Sequence, residues 1–186
     1  MTKTGDSIFN EPPEDLDETW THGALMGGMS GYSDESLAPA YFSAGAALID
    51  HVLEGDERGQ DFVCPILYLY RHGIELYLKV IVQPSVRNHG LGSLLEGFCR
   101  HVRERYKEDV PAWVTRPITE LAKFDPASDF RYGRSRSQRL ANEGEFWVDL
   151  KALKRTMALI EYAFRRTVVA DSCGLDDLDH IVPGLR

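Results

Sequence analysis

The sequence predicts an all-α fold, in which a single-domain bundle of four to five helices follows an irregular acidic N-terminal segment. Apolar residues recur three and four positions apart over several segments, which is the periodicity of a helix that buries one face. No segment alternates apolar and polar residues for long enough to predict a strand. At 186 residues the chain is long enough for one domain with a substantial core. We expect the irregular segment at 1–37, the bundle at 38–172 and a C-terminal tail at 173–186.

The net charge of −8 is spread unevenly along the chain. Residues 1–61 hold 13 acidic and 2 basic side chains, residues 62–139 hold 8 and 13, and residues 140–186 hold 8 and 6. An acidic N-terminal part therefore precedes a basic middle. This pattern indicates either neutralisation within the molecule or a middle segment that meets an anionic partner.

The first helix is predicted over Pro39–Leu53, with Ser36 as its N-cap. Its apolar residues at helical spacing are Phe42, Ala46, Ile49 and Leu53. The small residues at 44–47 would let a neighbouring helix approach closely. The charged stretch Glu54–Asp61 then predicts a solvated loop.

Four further helices are predicted from proline positions, caps and periodicity. The second has Pro65 near its first turn and ends at Pro84, because proline suits a first turn and interrupts a helix elsewhere. Ser93 caps the third, whose stripe is Leu94, Leu95, Phe98, Val102 and Arg105 or Tyr106. A short fourth helix spans Arg116–Phe124. The last, Phe146–Val169, is the most clearly amphipathic, and its apolar face is Phe146, Leu150, Leu153, Met157, Ile160, Ala163 and Phe164.

Several classes of function are excluded because their motifs are missing. The three cysteines form no CxxC pair, and the six histidines show no HExxH spacing, so no metal site is expected. The glycine-rich stretch at 23–31 lacks the Lys-Ser/Thr of a phosphate-binding loop, and no other cofactor is expected. The most apolar run is interrupted by charges and the N-terminus has no apolar signal region, which predicts a cytoplasmic protein without a membrane span.

The second helix carries the most informative residues of the chain. Arg71, Glu75 and Lys79 follow one another at i,i+4 spacing and form a charged stripe in an apolar helix. His72 lies beside the stripe, and His89 follows in the next loop. A buried charge is costly unless it is paired, so the stripe is either a structural ion-pair ladder or the floor of a site. In a site, arginine could hold a phosphate while histidine moves a proton.

A second candidate region is rich in arginine and contains one aromatic residue. Its members are Arg131, Tyr132, Arg134, Arg136 and Arg139. Arginine interleaved with an aromatic side chain suits phosphate contact and base stacking on single-stranded RNA. Lys79 is assigned to the same RNA-binding set. The alternative is a solvated loop that neutralises the acidic N-terminal segment.

The chain resembles the HEPN superfamily of small α-helical proteins. The resemblance lies in LYRHGIELYLK at 69–79, a His-Gly-Leu turn at 89–91, LLEGF at 94–98 and a late FRYG at 130–133, and it covers about Tyr41 to Arg166. The residues at the family's positions are Arg71, His72, Glu75, Leu76, Lys79 and His89. The resemblance implies a helical bundle that forms a homodimer or binds a protein partner encoded with it, in a prokaryotic antiphage or toxin–antitoxin system.

The resemblance also implies a metal-independent endoribonuclease. The family's nuclease signature places a histidine four to six residues after an arginine, and this sequence has no such pair. Two hypotheses follow. In the first, Arg71 with His72 or His89 cleaves RNA and Glu75 orients Arg71. In the second, the chain is a non-catalytic RNA- or protein-binding scaffold subunit, and its Arg/Glu/Lys stripe is structural.

Overall fold

The computed structural model describes residues 11, 14–15, 21, 23–26, 31–55, 58–84, 90–123 and 147–175. Within these ranges it contains five α-helices and no β-strand. The helices are α1 at Asp34–Glu54, α2 at Gly59–Val82, α3 at Leu91–Tyr106, α4 at Ala112–Ala122 and α5 at Leu150–Cys173. The predicted all-α bundle is therefore confirmed.

The chain divides into two units, Met1–Ser33 and Asp34–Arg186. In the first unit the Tyr32 hydroxyl donates a hydrogen bond to the backbone carbonyl oxygen of Leu25, at 3.0 Å. The second unit contains α1 to α5, and its first residue is also the first residue of α1. The segment predicted as irregular therefore overlaps the first turn of α1.

The central helix of the second unit is α2, which contacts each of the other four helices described. Its buried apolar residues are Ile66, Leu67, Tyr70, Ile74, Leu76, Tyr77, Leu78 and Ile81. A helix that is apolar around most of its circumference is stable only when other elements cover it. A charged side chain buried in the middle of α2 therefore destabilises the fold unless it is paired with an opposite charge.

Helices α1 and α2 run antiparallel and approach closely at two glycines. A Cβ atom added to Gly45 would lie 3.1 Å from the ring of Tyr70, and one added to Gly73 would lie 2.7 Å from the ring of Phe42. Aromatic rings thus occupy the space that a larger residue would fill. The prediction that small residues of the first helix allow close approach is confirmed at Gly45.

Aromatic side chains join four helices in one core. The ring of Phe42 in α1 lies 5.7 Å from that of Tyr77 in α2, measured between centroids. Tyr77 lies 5.5 Å from Phe164 in α5, which in turn lies 5.4 Å from Phe98 in α3. Such pairs add stability beyond the burial of their apolar area. An ion pair between Asp50 of α1 and Lys154 of α5 lies at the edge of the same helices.

The first two helices begin earlier than predicted. Ser36 lies inside α1, whose first turn contains Asp34 and another acidic residue that favour a helix N-terminus. In α2 the interactions between Arg58 and Asp61, with side-chain nitrogen–oxygen distances of 3.2 Å, support a first turn well before Pro65. Pro65 therefore lies in the helix interior, and the loop predicted up to Asp61 is shorter.

The third and fourth helices also differ from the prediction at their starts. Gly90, not Ser93, is the N-cap of α3, and the Ser93 hydroxyl donates back to the Gly90 carbonyl oxygen at 2.9 Å. The predicted apolar stripe of α3 is buried, with Tyr106 and not Arg105 at its last position. Helix α4 begins directly after Pro111, because proline suits the N-terminal boundary of a helix, and so Pro117 lies in its interior.

The last helix is displaced towards the C-terminus relative to the predicted Phe146–Val169. Asp149 sets its start, since the Asp149 carboxylate accepts a hydrogen bond from the Ala152 backbone N–H at 3.0 Å. Gly174 ends it with a φ of 66°, a left-handed conformation that glycine adopts without strain. The predicted core face is confirmed at Met157, Ile160, Ala163 and Phe164.

Candidate functional site

The charged stripe of α2 forms a three-residue ion-pair array centred on Glu75. The Arg71 Nη1 atom lies 3.4 Å from Glu75 Oε2, and the Lys79 Nζ atom lies 2.7 Å from Glu75 Oε1. The i,i+4 spacing on one helix face allows both contacts at once, because residues four apart lie one above the other. One carboxylate thus receives a cation from the turn before it and another from the turn after it.

The array is largely closed to solvent. Arg71 is 3% exposed and Glu75 is 5% exposed, while the Lys79 side chain keeps 19% of its surface accessible. A guanidinium this deep cannot meet the phosphate of a nucleic acid without rearrangement of the bundle. The arrangement instead has the properties of a buried ion pair, in which each charge offsets part of the cost of burying the other.

His72 lies between two tyrosine rings. Its ring meets that of Tyr41 edge-on at a centroid distance of 4.5 Å and lies parallel to that of Tyr68 at 6.0 Å. These contacts hold the imidazole between α1 and α2 as part of a partly buried aromatic group. If His72 were catalytic, its imidazole would have to act from within these contacts with the two tyrosine rings.

The remaining predicted site residues lie outside the described part of the chain. They are His89, Arg131, Tyr132, Arg134, Arg136 and Arg139. Of the predicted set, the structure brings Arg71, Glu75 and Lys79 together and places His72 in aromatic contacts on the same helix.

A second polar cluster joins the C-terminal ends of α3 and α5. The Nε2 atom of His101 lies 3.1 Å and 3.0 Å from the two carboxylate oxygens of Asp171, and the Tyr106 hydroxyl donates to Asp171 Oδ1 at 2.6 Å. An ionised carboxylate only accepts hydrogen bonds, so His101 carries its proton on Nε2. We call His101, Tyr106 and Asp171 the α3–α5 clasp.

The clasp is partly open to solvent and has a cation beside it. The side chains of His101 and Asp171 are 29% and 25% exposed. Arg105 donates to the Leu175 carbonyl oxygen at 3.3 Å, and its guanidinium carbon lies 5.7 Å from the centre of the Tyr106 ring. Asp171 fixes the imidazole as carboxylates do in proton-transfer sites, while the same bonds tie two helix ends together.

The sequence has no local pattern that predicts the α3–α5 clasp. His101 and Asp171 are 70 residues apart in the chain, and Tyr106 and Asp171 are 65 apart, so no local spacing joins them. Helical spacing predicts Tyr106 on the apolar stripe of α3, and the residue is 6% exposed. The one available signal is a tyrosine at the polar end of an apolar stripe, since its hydroxyl needs a partner when the ring is buried.

Burial also alters the titration of groups between α1, α2 and α5. The pKa of Tyr70 and of Tyr77 is raised to about 12, mainly by burial, with smaller contributions from the charges of Asp50 at Tyr70 and of Glu161 at both. The pKa of Glu161 is itself raised by burial, although Arg165 opposes this. The Tyr77 hydroxyl is buried, and no hydrogen-bond partner for it occurs among the described residues.

The described ranges contain no group of three or more His, Cys, Asp and Glu side chains that could hold a metal ion. None of the described helices combines the length and apolar character that crossing a membrane requires. No family model matches the chain, and no curated protein or solved structure matches it. Fold and site thus define an all-α bundle whose central helix holds a buried ion-pair array.

Proposed function

We propose that this chain is a HEPN-like, non-catalytic binding subunit of a prokaryotic antiphage or toxin–antitoxin system, and that its Arg71–Glu75–Lys79 array is structural. The burial of Arg71 and Glu75 carries the proposal, since both are at most 5% exposed and contact each other. An arginine that stabilises a reacting phosphate has to touch it, and its strongest contacts are bidentate. In this array the guanidinium faces a carboxylate on its own helix.

The surroundings of His72 support the same proposal. A general base has to come within hydrogen-bond reach of the proton that it removes. The His72 ring is held by Tyr41 and Tyr68, at centroid distances of 4.5 Å and 6.0 Å. The missing Arg-x4–6-His spacing in the sequence agrees with a binding role. We also propose that the protein is cytoplasmic and acts as a homodimer or with a protein partner.

An RNA-degradation assay tests the proposal. Single-stranded RNA incubated with the full chain in excess chelator should stay intact, because the described residues present no accessible arginine–histidine pair on α2. Gel mobility shifts on the same samples would report binding without cleavage. Chelator-resistant cleavage that Arg71→Ala abolishes, in a protein that still melts cooperatively, would establish the endoribonuclease instead.

A further inference from the structure

The outer surface of α5 carries a stripe of exposed apolar side chains. Leu159 is 57% exposed, Tyr162 44% and Val169 50%. Together with Arg166 they occupy positions three, four and three residues apart, and we call these four residues the outer stripe of α5. With 3.6 residues per turn they fall within an arc of about 80°. This is the narrow seam of a helix that packs against one other helix, not the broad apolar face of a helix lying on a membrane.

The charged side chains exposed along this surface of α5 are basic. Lys151 and Arg155 are exposed, and the Arg165 side chain is 66% exposed. The guanidinium carbon of Arg166 lies 5.9 Å from the centre of the Tyr162 ring. The surface is thus positive although the whole chain has a net charge of −8.

The two acidic residues of α5 are turned to other contacts. Asp171 accepts the hydrogen bonds of the α3–α5 clasp, and its side chain is 25% exposed. Glu161 is 21% exposed and lies 3.9 Å from Arg165. Glu161 thus offsets part of the charge of Arg165, whereas neither carboxylate of α5 is shown in contact with Lys151 or Arg155.

From the narrow seam and its charge we infer that the outer stripe of α5 docks an acidic amphipathic helix of a partner protein. Apolar anchors of such a helix at i, i+3 and i+7 spacing would cover Leu159, Tyr162 and Val169. Its glutamates and aspartates would meet Lys151 and Arg155. The inference rests on the proposed binding role and names the chemical class of the partner.

Two other occupants fit the stripe less well. A second copy of this chain presenting the same stripe would set basic side chains against basic side chains, which costs free energy. Single-stranded RNA would gain from the arginines and from Tyr162, but Leu159 and Val169 have no ring on which a base can stack. Both aliphatic residues are covered only by an apolar partner.

The direct test uses a synthetic amphipathic helix of about 20 residues, with leucines at heptad spacing and glutamates beside them. A matched peptide carries lysine at each glutamate position. Fluorescence anisotropy with the full chain should give a dissociation constant roughly tenfold lower for the glutamate peptide, and added salt should reduce the difference. Equal affinity for the two peptides would overturn the inference.

Substitutions locate the binding surface. Leu159→Glu should weaken binding of the glutamate peptide by roughly tenfold or more, because a carboxylate would replace a central apolar anchor. Trp113→Glu on α4 is the matched control, since Trp113 is 36% exposed and α4 packs on α2 and α3, and it should leave binding unchanged. Equal losses in the two variants would contradict docking on the outer stripe.

A charge exchange separates the partner classes. The double variant Lys151→Glu/Arg155→Glu should bind the lysine peptide more tightly than the glutamate peptide. If RNA, or vesicles of phosphatidylserine and phosphatidylcholine, bind in a manner that Leu159→Glu weakens while both peptides fail to bind, the stripe serves that other class and the inference is wrong. Its failure leaves the RNA-degradation result intact, so the proposed non-catalytic role is judged separately.

Discussion

Glu75 is the residue on which the charged array of α2 depends, because its two carboxylate oxygens serve both basic partners. Oε2 faces Arg71 and Oε1 faces Lys79, at 3.4 Å and 2.7 Å. Removal of Arg71 or Lys79 takes away one of these two contacts of Glu75, whereas removal of Glu75 takes away both. The free-energy cost of a substitution in the array should therefore be largest at its centre.

We expect Glu75→Ala to lower the free energy of unfolding by about 3 to 5 kcal/mol, since it removes the anion of a buried pair and leaves cations behind. Glu104→Ala is the matched control, because Glu104 is an exposed glutamate on α3, and its effect should stay within about 0.5 kcal/mol. Urea denaturation of both variants measures the difference. Equal midpoints for Glu75→Ala and the parent protein would show that the array does not stabilise the fold.

The array was predictable in part from the sequence. The i,i+4 spacing of Arg71, Glu75 and Lys79 predicts that the three side chains share a face. Spacing does not state whether other helices cover that face, because burial is decided by residues distant in the chain. The exposures of Arg71 and Glu75, 3% and 5%, favour an ion-pair ladder over the floor of a site, and only the structure provides them.

At the scale of elements, the close contact between α1 and α2 depends on glycines, which have no side chain to hold the helices apart. Gly73 faces the Phe42 ring so closely that an added Cβ would lie 2.7 Å and 2.9 Å from two ring carbons, and 3.3 Å from the Ala38 carbonyl oxygen. Real Cβ atoms do not approach carbon this closely, so the ring or one of the helices would have to move. The interior is too densely packed to absorb that shift without cost.

Gly73→Ala should lower the free energy of unfolding by about 1 to 3 kcal/mol, the usual cost of overpacking a core. Gly92→Ala provides the matched control, because no atom of the described residues beyond its own helical turn lies within 4 Å of a Cβ added at Gly92 in α3. There the better helix propensity of alanine should raise stability by up to about 1 kcal/mol. Thermal melts that shift in the same direction for both variants would contradict this account of the interface.

The helices themselves were predictable, and their ends were less so. Periodicity locates the core face of α5 correctly because it reports on packing. The predicted starts of α2 and α4 are wrong because proline favours a first turn, whereas Pro65 and Pro117 each lie in a helix interior. An interior proline removes one backbone hydrogen bond and costs about 3 kcal/mol or more, which the tertiary contacts of these helices offset. The α3–α5 clasp had no local signature at all.

At the scale of the whole molecule, the burial of two tyrosines between α1, α2 and α5 makes the stability of the fold depend on alkaline pH. Tyr70 and Tyr77 have their pKa raised to about 12 in the folded chain, against 10.0 for an ordinary tyrosine. As the pH rises, both phenols lose their protons at a lower pH in the unfolded chain than in the folded chain. Their contribution to stability is therefore complete below pH 10 and is lost as the pH rises towards about 12.

We expect the free energy of unfolding to fall between pH 10 and about pH 12, and to fall less steeply in the double variant Tyr70→Phe/Tyr77→Phe. Phenylalanine keeps the rings and removes the ionisable hydroxyls, so the comparison isolates their titration from that of lysines and other tyrosines. Urea titrations across this range, with phenolate absorbance read in parallel, measure the effect. Identical slopes in parent and double variant would exclude these two phenols as the cause.

The position of α5 at the end of the bundle has a consequence for synthesis on the ribosome. Phe164 covers Tyr77, and it is synthesised after all of α1 and α2. Until α5 is available, the nascent chain exposes one apolar flank of the α1–α2 pair to solvent. Such a surface is a substrate for holding chaperones and a route to aggregation. Translation speed through residues 83–149 should therefore influence how much of the newly made protein reaches its native state.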